Sequence, residues 1–556
     1  MFALLSISYA FPSVGSSTHM TFHHLFHWIY WSSWCPLLVS QNTLGHLRGL
    51  RLVGVVTSES RASRAPVRVS RDSIDFVRDE MLALIEDVEE NRIYLGVVKG
   101  SVKRDIAIDG SSLPTNFDPE RSLSYTAPLM TCYVEVIGEV VDGSLELNFS
   151  IPRPGSRVYI VTGDFDVAML LRVPEGLHVG FHKFSGMRVS LDPRSLDYHV
   201  AVLGATGTGK SRLVKALVEE ALAKTDYKVI VFDHTGLDYS DPSRWGGSVN
   251  VVDGSRIALT PDVIAEVLAD RMGLANEQQR DYMFLAVTLY IARSILAGSM
   301  GKSSLASLEY AFKRLLENLD LGSVIEGYFK LSKSGSFKWD FKEFLEVLDY
   351  CLTLMNTWSS TRVKFKILSH VRVGRRFFEN YLNGRSAIVG DVVEDILSGK
   401  SRLTIVDLSR EVEYEAKKFI VYQFLKEVWD RVLESRGRAG ILAVIDEAHN
   451  YACARGCEPS SGIIARIARE GRKWGFGLVL ASQRVIDLAP EVRGNINTVL
   501  FSRVQSASDY DELKRWIEGL QFIEQTLPLL ARREFYLAGL GNPFRKPLLV
   551  RVRDVS

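Results

Sequence analysis

A strand, a glycine-rich loop and a helix follow one another directly in "HVAVLGATGTGKSRLVKALVEEALAK", which begins at His199. The centre of this stretch, from Gly204 to Ser211, has the pattern GxxxxGK[ST] in the strand–loop–helix context that a phosphate-binding loop requires. Glycines let the backbone curl so that successive N–H groups face the phosphates, and the helix N-terminus adds positive potential. The sequence therefore predicts an α/β fold that binds a nucleotide.

The residues of this loop have separate predicted roles. Lys210 would reach the β- and γ-phosphates of ATP, and Ser211 would bind Mg²⁺. The residues predicted to bind the nucleotide are Gly204, Ala205, Thr206, Gly207, Thr208, Gly209, Lys210, Ser211 and Arg212.

A second stretch, "GILAVIDEAHNY", places two carboxylates after an apolar run. Residues 441–445 are continuously apolar, which is typical of a strand buried on both faces of a parallel sheet. Asp446 would complete the Mg²⁺ shell, and Glu447 would orient and polarise the attacking water. Because two carboxylates follow the strand, hydrolysis is expected rather than binding alone.

The letters Asp-Glu-Ala-His at 446–449 also spell the name of a large group of helicases. Those helicases carry a second motor domain after this motif, and residues 450–556 are too few for one. The stretch "LSGKS" at 397–401 hints at transporter ATPases, but it lies too far before Asp446 and lacks the second glycine and the glutamine. Both interpretations are rejected.

The stretch "GIIARIAREGRKWGFGLVLASQR" predicts a helix followed by an apolar strand that ends at Gln483. A glutamine at the tip of a strand beside the acidic strand can sense the γ-phosphate and position water. Arg466, Arg469 and Arg472 are three residues apart. Such arginines either form a solvated basic face or reach a neighbouring subunit's nucleotide, where one can accelerate hydrolysis by about 10³- to 10⁵-fold.

Taken in order, several blocks resemble the motifs of HerA, an archaeal family of DNA-translocating ATPases in the HerA–FtsK group. The blocks are "AVLGATGTGKS", "VFDHTGLDY", "AVIDEAHNY", "ARIAREGRKWGFGLVLASQR" and "NINTVLFSRV", and the resemblance covers roughly residues 48–553. It implies a hexameric ring around double-stranded DNA, a barrel that contacts a NurA-like nuclease, and a role in processing DNA ends for recombination.

The resemblance also implies roles for individual residues. The nucleotide site is matched by Lys210, Ser211, Asp446 and Glu447, and the sensor position is matched by Gln483. Arg472 matches the arginine presented across the subunit interface, and Arg469 is the second choice for that role. The family usually has Asp-Pro-His-Gly-Glu-Tyr where this chain has "DHTGLDY" from Asp233, so the resemblance leaves any role for Asp238 open.

Four parts are predicted along the chain. Residues 1–46 contain no Asp, Glu, Lys or Arg, and we interpret them as an overlong gene start or a disordered tail without an assigned function. Residues 47–185 are rich in short Val, Ile and Tyr runs, which predicts a small β-barrel. Residues 186–257 and 390–556 are predicted to form a RecA-like ATPase core. Residues 258–389 show helical periodicity and are predicted to be a helical subdomain inserted in that core.

The net charge of +1 gives no whole-chain sign of a nucleic-acid binder, so DNA contacts would have to come from a local basic surface. Arg455, in the loop after the acidic strand, is a candidate for pore contact. Arg362, Lys364 and Lys366 could face DNA, although a solvated surface is the commoner role for such residues.

The cysteines and the apolar segments suggest a soluble protein of the cytoplasm. The five cysteines form no disulfide framework, and Cys453 and Cys457 are interpreted as reduced thiols rather than metal ligands. No membrane anchor is predicted, because "STHMTFHHLFHWIYWSSWCP" is interrupted by polar residues.

The sequence therefore predicts an ATP-driven translocase or helicase for double-stranded DNA. Two alternatives remain open. One is a related translocase acting in DNA transfer or on a mobile element. The other is a nucleotide-gated clamp, in which ATP only assembles the ring and recruits a nuclease.

Overall fold

The computed structural model describes most of the chain after residue 46. The described residues are 47, 50–105, 128–163, 171, 175–247, 249–274, 276–300, 308–317, 320–355, 358–504, 506–517, 520 and 523–555. The interpretation of residues 1–46 lies outside them. No helix in these ranges is both long and apolar enough to cross a membrane.

The strands form two sheets. In chain order they are β1 (Arg51–Val56), β2 (Arg64–Val69), β3 (Leu82–Asp87), β4 (Arg92–Asp105), β5 (Pro128–Val141), β6 (Ser144–Glu146), β7 (Arg157–Ile160), β8 (Leu177–His182), β9 (Arg188–Leu191), β10 (Val200–Leu203), β11 (Lys228–Asp233), β12 (Val249–Asp253), β13 (Leu403–Asp407), β14 (Ile441–Ile445), β15 (Phe476–Ser482), β16 (Thr498–Phe501), β17 (Glu534–Gly539) and β18 (Leu548–Val552).

The α-helices cover the large sheet and form the insertion. They are α1 (Lys210–Lys224), α2 (Pro261–Arg271), α3 (Glu277–Met300), α4 (Leu308–Glu317), α5 (Leu321–Lys333), α6 (Phe341–Met355), α7 (Trp358–Ser369), α8 (Val371–Arg376), α9 (Val389–Leu397), α10 (Tyr414–Ser435), α11 (Ser460–Glu470), α12 (Pro490–Arg493) and α13 (Ala507–Trp516).

The first sheet is a closed antiparallel barrel. Its order is β2-β1-β7-β3-β4-β5, and pairing of β2 with β5 closes the ring, while β6 extends β5. Alternating strand residues such as Val53, Val67, Ile85 and Val134 fill its interior. The predicted N-terminal β-barrel is therefore confirmed.

The second sheet contains the predicted ATPase core. Its order is β12-β13-β11-β14-β15-β10-β16-β17-β18-β8-β9, parallel from β12 to β16 and antiparallel beyond. The strand before the phosphate-binding loop, β10, and the acidic strand, β14, both pair with β15. The fold is the predicted α/β P-loop core with a helical insertion.

The end of the predicted barrel differs from the structure. Strand β8 lies in the predicted barrel range of 47–185, yet it pairs with β18 in the large sheet, so that range extends too far. At the other limit, α9 begins at Val389, and its residues Val393 and Ile396 are buried in the same apolar core as those of the motor helix α10.

Aromatic side chains build the core of the helical insertion. The rings of Tyr290 and Trp339 are stacked with centroids 5.2 Å apart, and Phe344 and Phe378 pack around them. The Tyr290 hydroxyl donates to the Lys338 carbonyl at 3.1 Å and accepts from the Asp340 N–H at 2.9 Å. The insertion therefore has a rigid core of its own on the motor.

A buried ion pair lies where the barrel meets the motor. Lys99 of β4 donates to both carboxylate oxygens of Glu80 at 2.7 and 2.8 Å, and both side chains are at most 3% exposed. From the motor, the hydroxyl of Thr526 donates to Glu80 at 3.3 Å, and His182 Nε2 donates to the Glu80 carbonyl at 3.0 Å. Burial lowers the pKa of His182 to about 4, so this ring is neutral at pH 7. Residues of both domains thus satisfy one buried carboxylate.

We expect Lys99→Met to lower the free energy of unfolding by about 3 kcal/mol, because it leaves the Glu80 carboxyl buried without its cation. Lys103→Met is the matched control, since Lys103 also lies on β4 but forms an exposed ion pair, with Asp75. Urea unfolding followed by far-UV circular dichroism should show a lower midpoint for the first variant only. Equal midpoints for both variants would contradict a stabilising role for the buried pair.

Candidate nucleotide site

The predicted nucleotide residues come together at one edge of the parallel sheet. Strands β10, β14 and β15 are parallel neighbours, so the loops that follow them meet at their carboxyl ends. They enclose a pocket of about 290 Å³. Its lining residues are Thr206, Gly207, Gly209, Lys210, Ser211, Arg212, Asp238, Asp446, Glu447, Gln483 and Arg532.

The phosphate-binding loop has the backbone conformation that its glycines permit. Gly209 precedes helix α1 with φ of 102°, a region that residues with a side chain rarely adopt. The Lys210 ammonium folds back over the loop and donates to the carbonyl oxygens of Gly204 and Ala205 at 2.9 and 3.4 Å. Burial lowers the pKa of Lys210, and the nearby carboxylates oppose this effect. The lysine therefore lies at the mouth of the loop, where phosphate oxygens can replace the two carbonyls.

The carboxylates of the site form a compact acidic cluster. Asp446 is 4% exposed, and burial raises its pKa to about 8, with further contributions from Glu447, Asp233 and Asp238. Ser211 Oγ donates to Asp238 Oδ2 at 2.9 Å. The Ser211 hydroxyl and the carboxylates of Asp238 and Asp446 make a donor set suited to a hard divalent ion.

Asp238 is a site residue that the sequence left without a role. The fully buried Asp233 organises the turn before it, because its carboxylate accepts N–H groups from Gly236, Tyr239 and Ser240 at 2.9 to 3.0 Å. The turn wraps around this carboxylate and directs Asp238 toward Ser211. In the sequence, the only indication of a role for Asp238 was an acidic residue one place later than in the family pattern. Strand register does not fix the position of a residue in a loop, so this role could not be predicted.

Hydrogen bonds connect the phosphate-binding loop to Glu447 through Gln483. Thr206 Oγ1 donates to Gln483 Oε1 at 2.7 Å, and Gln483 Nε2 donates to Glu447 Oε1 at 2.5 Å. The second Glu447 oxygen lies 3.3 Å from His449 Nδ1, and Glu447 itself has φ of 47°. The side chain predicted to orient water is thus held by the predicted sensor, while its second oxygen lies beside a histidine without a hydrogen bond to it.

The structure does not bring Arg472 to the pocket of its own subunit. Arg472 lies just before the amino end of β15, whereas Gln483 follows its carboxyl end. A strand of this length separates the two by on the order of 20 Å. The Arg472 side chain is exposed, with its guanidinium 4.0 Å from the Tyr198 ring centroid. Arg469 is also exposed and absent from the pocket lining.

The interpretation of Cys453 and Cys457 as reduced thiols is wrong. The two residues form a disulfide, because the loop after the acidic strand brings their Cα atoms to 5.5 Å. Arg455 is exposed at the tip of this small ring. The buried Lys418 donates to the carbonyl of Gly456 at 2.8 Å and fixes the ring to α10. The candidate pore residue is therefore displayed on a constrained loop.

The basic residues of α7 are mostly engaged within the chain. Lys364 pairs with Asp349, and Lys366 donates to the Gly273 carbonyl, whereas Arg362 is exposed. These contacts agree with a solvated helix surface at this position.

Comparison with known proteins finds relatives that cover most of the chain. The family model "Helicase HerA, central domain" matches residues 177–428. The chain is 25% identical over 516 residues to the DNA double-strand break repair helicase HerA of Pyrococcus furiosus, covering 85% of each chain. It is 26% identical over 427 residues to the protein of the same name from Sulfurisphaera tokodaii, covering 74% of this chain and 76% of that one. Among solved structures, VirB4 of Thermoanaerobacter pseudethanolicus aligns with a TM-score of 0.44 and 15% identity, over 69% of this chain and 97% of that chain.

We expect Gln483→Ala to slow ATP hydrolysis by about 100-fold, because Glu447 loses the amide that orients it. The affinity for ATP should change little, since the phosphate-binding loop remains intact. Arg484→Gln is the control, because this neighbouring arginine pairs with Asp487 and does not line the pocket. Single-turnover hydrolysis and ATP titration measure the two quantities. A wild-type rate in Gln483→Ala would show that the amide contact has no catalytic role.

Proposed function

We propose that this chain, which is a HerA-type ATPase, works as a hexameric ring that hydrolyses ATP between subunits and moves double-stranded DNA through its centre. The observation that supports hydrolysis best is the hydrogen-bonded series from Thr206 through Gln483 to Glu447. A protein that only binds nucleotide has no need of a carboxylate oriented in this way beside the γ-phosphate position.

ATP and Mg²⁺ fit the residues of the pocket. Lys210 and the loop N–H groups would hold the phosphates, and Ser211 and Asp446 would hold Mg²⁺, with Asp238 beside them. Mg²⁺ commonly takes only one or two protein oxygens together with phosphates and water. When bound, it supplies positive charge that offsets the charge developing on the phosphates.

Glu447, Gln483 and Lys210 have separate roles in the proposed hydrolytic step. Glu447 orients and polarises the attacking water. The Gln483 amide, which donates one N–H to Glu447, would donate its other N–H to the γ-phosphate. Lys210 leaves the loop carbonyls and stabilises charge on the β- and γ-phosphates. The hydrogen bonds present in the structure thus join the residues that must rearrange when ATP arrives.

A ring accounts for the position of Arg472. This arginine lies at the sheet edge opposite its own pocket, so it can serve only a nucleotide held by another subunit. Head-to-tail contact between identical subunits closes into a ring and brings this edge of one subunit to the pocket of the next. Arg472 would then stabilise the transition-state charge across the interface.

DNA contact is assigned to the loop that displays Arg455. The disulfide ring lies in the loop after the acidic strand, and Cys457 contacts the carbonyl oxygen of His449, whose ring faces Glu447. A translocase that acts on any sequence grips phosphates rather than base edges. Movement of DNA past Arg455 would therefore affect His449, which lies two residues after the proposed catalytic residue Glu447.

The names of the relatives, DNA double-strand break repair helicases, support a proposal for the biological setting. We place the protein in the cytoplasm, where it would process DNA ends for recombination together with a NurA-like nuclease. The barrel is the proposed docking module, and it exposes Leu147, Phe149 and Ile151 by 58, 85 and 57% on one short segment. Exposed apolar side chains grouped in this way are typical of contact surfaces between proteins.

Mixed rings test the shared active site. Arg472→Ala and Glu447→Gln subunits should each be inactive alone, yet their equal mixture should regain about one quarter of the wild-type ATPase rate, because a quarter of random interfaces combine an intact Glu447 with an intact Arg472. The control mixes Lys210→Ala with Glu447→Gln. It should regain nothing, since both residues belong to the same subunit's pocket. Equal behaviour of the two mixtures would disprove a role for Arg472 across the interface.

A second experiment separates a motor from a clamp. Linear duplex DNA should stimulate the ATPase rate of the wild type, and Glu447→Gln should bind DNA and ATP but release no triplex-forming strand from a translocation substrate. Lys210→Ala supplies the background value. A clamp would show an ATPase rate that ignores DNA, and Glu447→Gln would still support stimulation of the nuclease partner.

A further inference from the structure

The segment before β17 is held against the phosphate-binding loop. The backbone N–H of Arg533 donates to the Thr208 carbonyl at 2.7 Å, and the Arg533 carbonyl accepts from Val552 at 2.9 Å. The contact is close enough that a Cβ at Gly209 would lie 3.3 Å from Arg533 Cγ. The C-terminal hairpin of β17 and β18 is therefore part of the wall of the nucleotide pocket.

Arg532 and Arg533 have opposite surroundings. Arg533 pairs with Asp554 at 2.6 Å, and Arg212 lies 3.8 Å from the same carboxylate. Arg532 lines the pocket and is exposed, and in the described part of the chain no carboxylate forms an ion pair with it within 4.0 Å. Arg533 has φ of 69°, a conformation that turns the chain between the two arginines. Arg533 is thus neutralised by Asp554, whereas Arg532 lines the pocket.

From this geometry we infer that Arg532 binds the phosphate chain of the ATP held by its own subunit. A guanidinium presents several donors in a fixed plane, and a phosphate oxygen is its natural acceptor. The pocket contains the carboxylates of Asp238, Asp446 and Glu447, so an added cation also reduces their repulsion of the triphosphate. This inference rests on the proposed nucleotide site and adds a residue to it.

Arg532 and Arg472 lie at opposite edges of the parallel sheet. Arg532 approaches the pocket from the C-terminal hairpin of the same subunit, whereas Arg472 lies at the opposite edge of the sheet. Because Thr208 and Gly209 contact Arg533, the segment that carries Arg532 is fixed directly to the phosphate-binding loop.

The test measures ATP, ADP and AMP affinity of the full chain by isothermal titration calorimetry, for the wild type, Arg532→Gln and Arg532→Lys. Loss of a charged hydrogen bond should weaken ATP binding by Arg532→Gln about 10- to 100-fold, with a smaller loss for AMP. Arg532→Lys should recover part of the affinity, because it keeps the charge. Arg515→Gln is the control, since Arg515 is 78% exposed on α13, outside the pocket.

The outcomes separate this inference from the proposed function. Wild-type ATP affinity in Arg532→Gln would overturn the role of Arg532 while leaving the nucleotide site in place. Absence of ATP binding by the wild type would overturn the proposed site and the inference with it. Equal losses for ATP and AMP would also count against a contact with the phosphate chain. A loss in Arg532→Gln that Arg532→Lys partly restores, and that Arg515→Gln does not share, would support it.

Discussion

The Gln483 amide is the contact on which the nucleotide site depends. It accepts from Thr206 in the phosphate-binding loop and donates to Glu447 after the acidic strand. This geometry is available only because β15 lies between β10 and β14, so that Gln483, the residue after its last one, is placed between their two loops. A strand in any other place in the sheet would leave Glu447 without this partner. The order of three strands therefore decides which side chains can act together on the γ-phosphate.

The two edges of the parallel sheet have different tasks. The carboxyl edge holds the phosphate-binding loop, the acidic cluster and Arg532. The amino edge displays Arg472, which is exposed beside Tyr198 and remote from that pocket. A single subunit cannot bring its two edges together, because a packed parallel sheet does not fold back on itself. In the proposed ring, contact between neighbouring subunits makes each active site complete.

Buried polar contacts fix the barrel and the Cys453–Cys457 disulfide ring to the motor. The Glu80 carboxylate joins the barrel to the motor through Lys99 and Thr526, and each of these groups is costly to bury without the others. The disulfide ring at Cys453 and Cys457 is fixed to α10 by Lys418 and reaches the backbone of His449. These contacts fix the barrel and the loop proposed to grip DNA to the ATPase core.

The sequence by itself determined the fold class and the central residues of the site. Lys210, Ser211, Asp446 and Glu447 lie in contiguous motifs whose backbone is set by a strand end, and local order fixed where they lie. The remaining residues of the site were decided only by the tertiary structure, because their contacts join segments that are distant in the sequence. Asp238 depends on a turn wound around Asp233, and Arg532 reaches the pocket from a hairpin more than 300 residues from the phosphate-binding loop. The disulfide and the place of β8 in the large sheet likewise followed from packing, which periodicity and motif spacing do not encode.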